Sequence, residues 1–339
     1  MAIIHFLNVL EGDCNIIQHD SGRISVIDVS NAYNREDTPE EKAAKASRER
    51  EERRTRTKVP SNKVDYKQKL TPDNPIAYLK ENIGPNEIFR FIISHPDMDH
   101  LDGIKDLYTE FTILNTWDTE NNKYIGPNES FAGYNQEDWK FYTQVRAGQV
   151  SNTRRLTNYD NESSQYWNDD RIKILCPSKD LVSSANTSKD YNDASYVLLF
   201  SFPRLGNKYW RVIFAGDSDD HSWAHILKNY SADIKNVDVL FAPHHGRDSN
   251  RNYDFLNVLT PTVTLLGNAS SNHLAYQCYP PTRITNNQAG YVVIEVLPER
   301  MSFYVKNYDF ARDFKSRRNW SEPQYYPSFK AYDLFRLNA

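Results

Sequence analysis

Apolar positions along the chain follow two rhythms. The first is a series of short runs, IIHFLNV, NIIQ and ISVIDV, parted by the turn signals Glu11-Gly12-Asp13 and Asp20-Ser21-Gly22. Short β-branched runs bounded by such turns predict a meander of strands. After Pro75 strand-like and helix-like windows alternate: a helix around IAYLKENI, the apolar strand IFRFIIS, and a helix near LDGIKDLY. Strands are predicted again at IKILC, SYVLLFSF and WRVIFAG, then a helix at SWAHILKNY, a strand at VDVLFAP, a helix near DFLNVL, and strands at TVTLL, GYVVIEV and SFYV. Unbroken apolar runs suit strands covered on both faces. Strands dominating both halves, with helices between them, predict an α/β fold of two mixed sheets flanked by helices.

Two segments break the rhythm and are expected to be insertions, at about residues 31–72 and 115–170. Residues 31 to 70 hold 12 Lys+Arg against 8 Asp+Glu, and the run SREREERRTRTK has almost no apolar face. The segment is either a solvated helix or disordered excursion or, from its local charge of +4, an arm for nucleic acid. Residues 115 to 170 are rich in Asn, Asp, Trp and Tyr, with some helix expected near WKFYTQV. Their aromatics Trp117, Tyr124, Phe131, Tyr134 and Trp139 either stack on bases or pack a small core of their own. The Tyr-rich tail from Asp309 shows no periodicity, so a main domain over 1–305 and a C-terminal extension over 306–339 are expected.

Composition narrows the classes. A chain of 339 residues is long enough to bury a metal site inside a real core. Its formal charge of −4 means that affinity for a polyanion must come from a local patch. Cys14, Cys176 and Cys278 are odd in number and far apart, which fits neither a disulfide framework nor a cysteine zinc site. With no basic leader and no long apolar run, a cytoplasmic protein without membrane spans is expected.

Three strand ends carry chemistry. His95, Asp97, Asp99 and His100 follow directly after IFRFIIS. Side chains at a strand's carboxyl end and on the next helix's first turn can converge, and two imidazoles with two carboxylates suit Zn or Mn. An N-terminal helix cap explains one Asp, but not both histidines. Asp217 in FAGDS also ends an apolar strand, and can bridge two metals or simply make a turn. His244 and His245 in PHHG end the strand VDVLFA; one is expected to ligate metal and the other to contact substrate.

Taken in order, FLNVLEGDCNII, VIDVS, SHPDMDHLDGI, NDASYVLLFSF, FAGD, DVLFAPHHG and GYVVIEV resemble the metallo-β-lactamase superfamily. In particular they resemble its ComEC-like branch, the hydrolase domain of the DNA-uptake competence proteins and its soluble relatives. The resemblance implies the αββα sandwich of that superfamily and two divalent metal ions, Zn or Mn, with Mg as a further choice. It implies His95 and Asp97 on one metal, Asp99 and His100 on the other, Asp217 between them, and His244 or His245 closing the second site. Asp28 would be the structural aspartate of an early strand.

Two departures stand out. Asp97 replaces the second His of the broad superfamily, as in the ComEC-like branch, and a harder oxygen ligand tilts the site from Zn toward Mn or Mg. No His lies between His100 and Asp217, where the superfamily places another ligand. Asn192 or Asp193 occupies the corresponding place, as an oxygen ligand or as a simple turn. His273 falls where relatives carry a Gly-His-Pro and is expected to complete the substrate pocket. His5, His19, His221 and His225 are read as surface or core residues. The implied activity is metal-dependent hydrolysis of a phosphodiester, with nucleic acid as substrate, Asp99, His245 and His273 as catalytic residues, and a regulatory protein as a further partner. Hydrolysis of a small ester, lactone or cyclic nucleotide, and a non-catalytic module with a vestigial metal site, are the rival readings.

Overall fold

The computed structural model describes residues 1–10, 12–30, 64–84, 87–126, 129–131, 133–267 and 274–339. Most of the Arg-rich segment, and His273, therefore lie outside the described residues. Ten strands make one sheet, in the order β15-β16-β14-β13-β1-β2-β3-β4-β5-β6, and six make the other, in the order β12-β11-β10-β9-β8-β7. In chain order these are β1 (Ala2–Phe6), β2 (Asn15–Gln18), β3 (Ile24–Ile27), β4 (Glu87–Ile92), β5 (Thr112–Trp117), β6 (Arg154–Leu156), β7 (Ile172–Cys176) and β8 (Val197–Arg204). They continue as β9 (Lys208–Phe214), β10 (Val239–Phe241), β11 (Val263–Leu266), β12 (Arg283–Thr285), β13 (Val292–Leu297), β14 (Arg300–Val305), β15 (Tyr325–Tyr326) and β16 (Ala331–Asn338).

Side chains alternate between two apolar layers on every central strand, which explains why the sequence reads as continuous apolar runs. Ile4, Phe6 and Ile92 of the larger sheet meet Phe200, Val212, Phe214 and Phe241 of the smaller one in the core between the sheets. The outer face of the larger sheet, with Ile16, Val26 and Phe91, is covered by Ile76 and Leu79 of the helix Pro75–Asn82 and by Ile104 and Leu107 of the helix Ile104–Glu110. The outer face of the smaller sheet, with Ile213 and Leu240, is covered by Trp223 and Ile226 of the helix Asp220–Tyr230 and by Phe255 and Leu259 of the helix Phe255–Leu259. The result is a four-layered αββα sandwich of two mixed sheets flanked by helices, the architecture the sequence predicts.

One position inside IFRFIIS is not apolar. Arg90 points into the space between the sheets, where its guanidinium pairs with Asp170 Oδ2 at 2.5 Å and donates to Ser25 Oγ and the Tyr166 carbonyl. Removing either partner would strand a buried charge.

Both sheets have an antiparallel half and a parallel half. β3, β4, β5 and β6 run parallel in the larger sheet, as do β9, β10, β11 and β12 in the smaller one. Parallel strands deliver their carboxyl ends to one edge, where sites in α/β folds form. β3, β4, β9 and β10 are followed by Asp28, the HPDMDH turn, FAGD and PHHG respectively.

Two regions hold more regular structure than their sequences suggest. Within 115–170 lie the end of β5, all of β6 and the helix Gln136–Arg146, so this stretch extends the larger sheet. Trp117 and Trp139 are core residues, and Phe131 and Tyr134 pack against the core, whereas Tyr124 is exposed. Of the five aromatics named for base stacking, only Tyr124 presents an open ring. The tail contains the helix Tyr308–Ser316, whose Phe310, Ala311 and Phe314 enter the core between the sheets, and β16, which pairs antiparallel with β14. No described helix is long and apolar enough to cross a membrane.

Candidate metal centre

The turn after β4 brings four side chains to the edge of the sandwich. Asp28 at the end of β3 anchors it: one carboxylate oxygen accepts from Ser94 N at 2.7 Å and the other from His100 Nδ1 at 2.8 Å. Asp28 itself has a left-handed backbone, with φ of 59°. With Nδ1 committed, His100 presents Nε2 to the cluster, buried and without a hydrogen-bond partner among the described residues.

Close approach of the other strand ends depends on two glycines. A Cβ on Gly12 would stand 1.6 Å from the Asp99 carbonyl oxygen, so only glycine lets the β1–β2 turn lie across Asp99. A Cβ on Gly216 would stand 3.0 Å from Ser94 Cβ, where the turns after β4 and β9 meet. The PHHG turn is tied to the same place, because His244 N donates to the Gly216 carbonyl at 2.9 Å. His244 and His245 are both left-handed, with φ of 52° and 55°, a conformation costing about 1–3 kcal/mol for each such residue. Strain in two successive histidines is held where it turns both rings toward Asp217.

Asp217 lies at the middle of the arrangement. Its Oδ1 is 3.3 Å from His100 Nε2 and 3.5 Å from His245 Nε2. Its Oδ2 is 3.9 Å from His95 Nε2 and 3.6 Å from His244 Nε2. On the first side, Asp99 Oδ2 completes a group, 3.4 Å from His245 Nε2 and 3.8 Å from His100 Nε2. The ligand atoms of Asp99, His100, Asp217 and His245 all lie within 4.8 Å of one another, a geometry able to hold a divalent cation. On the other side, Asp97 Oδ1 is 3.9 Å from His95 Nε2.

The separations at Asp217 Oδ1 fit a metal. Ligand atoms about 2.0–2.1 Å from one tetrahedral ion stand about 3.3–3.4 Å apart. The Nε2 atoms of His95, His100 and His245 and Oδ1 of Asp217 are buried without hydrogen-bond partners among the described residues. Orphaned polar atoms aimed at one point are costly unless something binds them. Asp13, Asp28 and His100 also gather within 4.8 Å of one another. Asp28, however, already spends both oxygens on Ser94 N and His100 Nδ1, which makes that trio a support for the centre.

Charge inside the cluster follows the same division. Burial opposes a proton on His100, yet Asp217, Asp99 and Asp28 outweigh it and hold the imidazole well above its ordinary range. His245 is raised in the same way, against burial, by Asp217 and Asp13. For His95 burial prevails, reinforced by His100, and its pKa falls. His244 is likewise lowered by burial, against the pull of Asp217. Despite burial, His245 and His100 drive Asp217 well below the ordinary carboxylate range. The pocket is built to attract positive charge.

The structure brings His95, Asp97, Asp99, His100, Asp217, His244 and His245 together. Asp193 is not among the residues gathered there: its Oδ2 takes His221 Nδ1 at 2.6 Å, while its Oδ1 is buried without a hydrogen-bond partner among the described residues. Asn192 sits beside it in the same short helical turn. His221 and His225 line a separate groove of about 540 Å³, and His225 is held there by Asp160. His5 and His19 are core residues, bonded to Tyr78 and Ser25.

Two contributors escaped sequence reasoning. Asp13 Oδ1 lies 3.2 Å from His245 Nδ1, close enough for its charge to act on that ring but without the hydrogen bond that Asp28 makes to His100. The signal was the Gly12-Asp13 pair, legible as a turn but not as one lying across Asp99. Lys123 pairs with Asp97 at 2.5 Å, from a loop with no motif to mark it.

No family model matches the chain, and no curated protein matches it. Among solved structures it is similar to a diphosphatase of the PhnP family, with a TM-score of 0.39 and 10% identity over 88% of this chain and 99% of that one. It is also similar to CmlA, a diiron β-hydroxylase from Streptomyces venezuelae, with a TM-score of 0.40 and 11% identity over 82% of this chain and 47% of that one. A third likeness is to a long form of RNase Z from yeast, with a TM-score of 0.39 and 10% identity over 86% of this chain and 41% of that one.

Proposed function

We propose that the chain is a dinuclear metal-dependent hydrolase of the metallo-β-lactamase superfamily, ComEC-like in its motifs, that cleaves phosphodiester bonds in DNA or RNA. The observation that carries this reading is the two-sided Asp217, whose Oδ1 faces His100 and His245 while Oδ2 faces His95 and His244. A carboxylate flanked by imidazoles on both oxygens is the arrangement a bridging ligand needs.

His95, Asp97 and His244 would hold one ion, and Asp99, His100 and His245 the other. His244 then supplies the imidazole whose absence between His100 and Asp217 leaves the first metal one ligand short. Two divalent ions bound there would supply a water acidic enough to attack at neutral pH and positive charge for the nonbridging oxygens of a phosphodiester. Imidazoles mixed with carboxylates suit Zn or Mn better than Mg.

The protein's own groups orient and neutralise. Asp28 fixes the Nε2-presenting geometry of His100 by a hydrogen bond, and the Asp13 carboxylate stands 3.2 Å from His245 Nδ1, as carboxylates behind ligating histidines do. His245 has a carboxylate at each ring nitrogen, which favours a ligand role over proton donation. Protonation of the leaving oxygen is assigned to His273, which follows β11 in the sequence. A ComEC-like hydrolase of this kind would serve DNA processing or defence against foreign DNA, under restraint by a partner protein.

Purified protein loaded with Mn or Zn, then incubated with plasmid, single-stranded DNA and RNA, tests the reading. Cleavage that Asp99→Ala abolishes supports it. Full metal occupancy with no turnover of any phosphodiester refutes it.

A further inference from the structure

The loop that follows β5 is held far more firmly than its lack of secondary structure suggests. Asp118 at its start is buried, accepting from Tyr142 OH at 3.0 Å and pairing with Arg155 at 3.2 Å. Asn121 donates to Tyr142 OH at 2.7 Å. Arg146, the last residue of the helix Gln136–Arg146, donates to Asn121 Oδ1 at 2.9 Å and to the Lys123 carbonyl at 2.8 Å. On the opposite side Asn122 N donates to Asn186 Oδ1, and Asn122 Oδ1 accepts from Tyr191 OH and Lys189 Nζ. The Lys123 ammonium also lies 5.5 Å from the centre of the Tyr191 ring. Fixing a loop by this many side-chain hydrogen bonds costs conformational entropy, and the fixed residue that reaches the candidate ligands is Lys123.

Lys123 Nζ stands 2.5 Å from Asp97 Oδ1, at the open rim of the centre, where Asp97 is 38% exposed while His95 is fully buried. The ammonium is therefore next to the partly open ligand of the first half. A lysine is a compact point charge on a flexible stem, suited to a phosphoryl oxygen whose position shifts during reaction.

We propose that Lys123 is a substrate-binding residue that takes an anionic phosphoryl oxygen at the edge of the first half-site. The inference rests on the dinuclear phosphodiesterase reading and names how that site selects an anion. Asp97 holds the ammonium in place until a phosphoryl group arrives, after which the ammonium donates to the phosphoryl oxygen as well. No bond to Lys123 is made or broken in the reaction.

Inorganic phosphate is the probe, titrated calorimetrically into Mn-saturated protein, so that the outcome does not depend on turnover. Lys123→Ala is expected to weaken phosphate binding about tenfold or more, as loss of a hydrogen bond to a charged group does, with Lys123→Arg restoring most of it. In a phosphodiesterase assay the alanine variant is expected to raise KM with a smaller effect on kcat. A structural role would instead lower the metal content of Lys123→Ala and leave phosphate affinity unchanged once metal is saturating, and that result overturns the proposal. Phosphate binding lost in Lys123→Ala from a protein that cleaves no phosphodiester would keep the anion site and reject the phosphodiesterase.

Discussion

The two halves of the centre share Asp217 but are built differently. In the half formed by Asp99, His100 and His245, each imidazole has a carboxylate behind it, Asp28 for His100 and Asp13 for His245. In the half formed by His95, Asp97 and His244, the hydrogen bond behind His95 among the described residues comes from Ser94 Oγ at 3.1 Å; His244 Nδ1, like His245 Nδ1, makes no hydrogen bond among them, but His245 Nδ1 has the Asp13 carboxylate 3.2 Å away. Asp97 is partly exposed and paired with Lys123. The separations follow suit, 3.3 to 3.5 Å between Asp217 Oδ1 and its imidazoles against 3.6 to 3.9 Å at Oδ2. Supporting carboxylates raise ligand basicity and fix ring orientation, so the supported half should bind its ion more tightly and the other should exchange it more readily.

Substitutions at the shared ligand should erase the distinction. Asp217→Ala is expected to lose both ions and to lower hydrolysis by about a thousandfold or more, measured by metal content and initial rates. A variant that keeps two ions would show that Asp217 is not shared. His244→Ala should be selective, leaving about one tightly bound ion per chain. If its metal content instead equals wild type, His244 does not belong to the first half. Asp13→Asn and Asp28→Asn keep the shape but weaken the support, and each is expected to cost about 10–100-fold in affinity of the tighter ion, read by competition with a chelator. Equal losses at both ions would break the comparison.

The last effect is expected away from the centre and controls for global damage. His5 and His19 are each pushed down to about 4, chiefly by burial. Because their folded pKa values are depressed, the stability they contribute is present above the unfolded value of about 6.5 and is lost as pH falls toward 4. Chelator-treated protein should lose about 2–3 kcal/mol per histidine over that window in urea unfolding, and His19→Gln should flatten the slope. A slope unchanged by that substitution would place the acid sensitivity elsewhere.

Much of this was legible in sequence because strand ends announce themselves. The runs IFRFIIS, WRVIFAG and VDVLFAP gave β4, β9 and β10, and the His and Asp residues just beyond them are the ones the structure gathers. What could not be read depends on contacts between distant segments. Periodicity cannot show that PHHG turns through two left-handed residues, which sends His244 and His245 to opposite oxygens of Asp217. Nor can it show that the Gly12-Asp13 turn crosses Asp99, or that a loop of mixed polarity is pinned by Arg146 with Lys123 at its tip. The tail was obscure for another reason. Phe310, Ala311 and Phe314 follow helical spacing, but the window is short and set among Tyr and Arg, so the apolar stripe is narrow.

The most direct measurement is anomalous diffraction from crystals of the protein soaked in Mn. Two peaks are expected, one on each side of the Asp217 carboxylate: the stronger among Asp99, His100 and His245, the weaker among His95, Asp97 and His244. A single peak, or one centred on Asp13 and Asp28, would contradict the shared carboxylate on which the account stands.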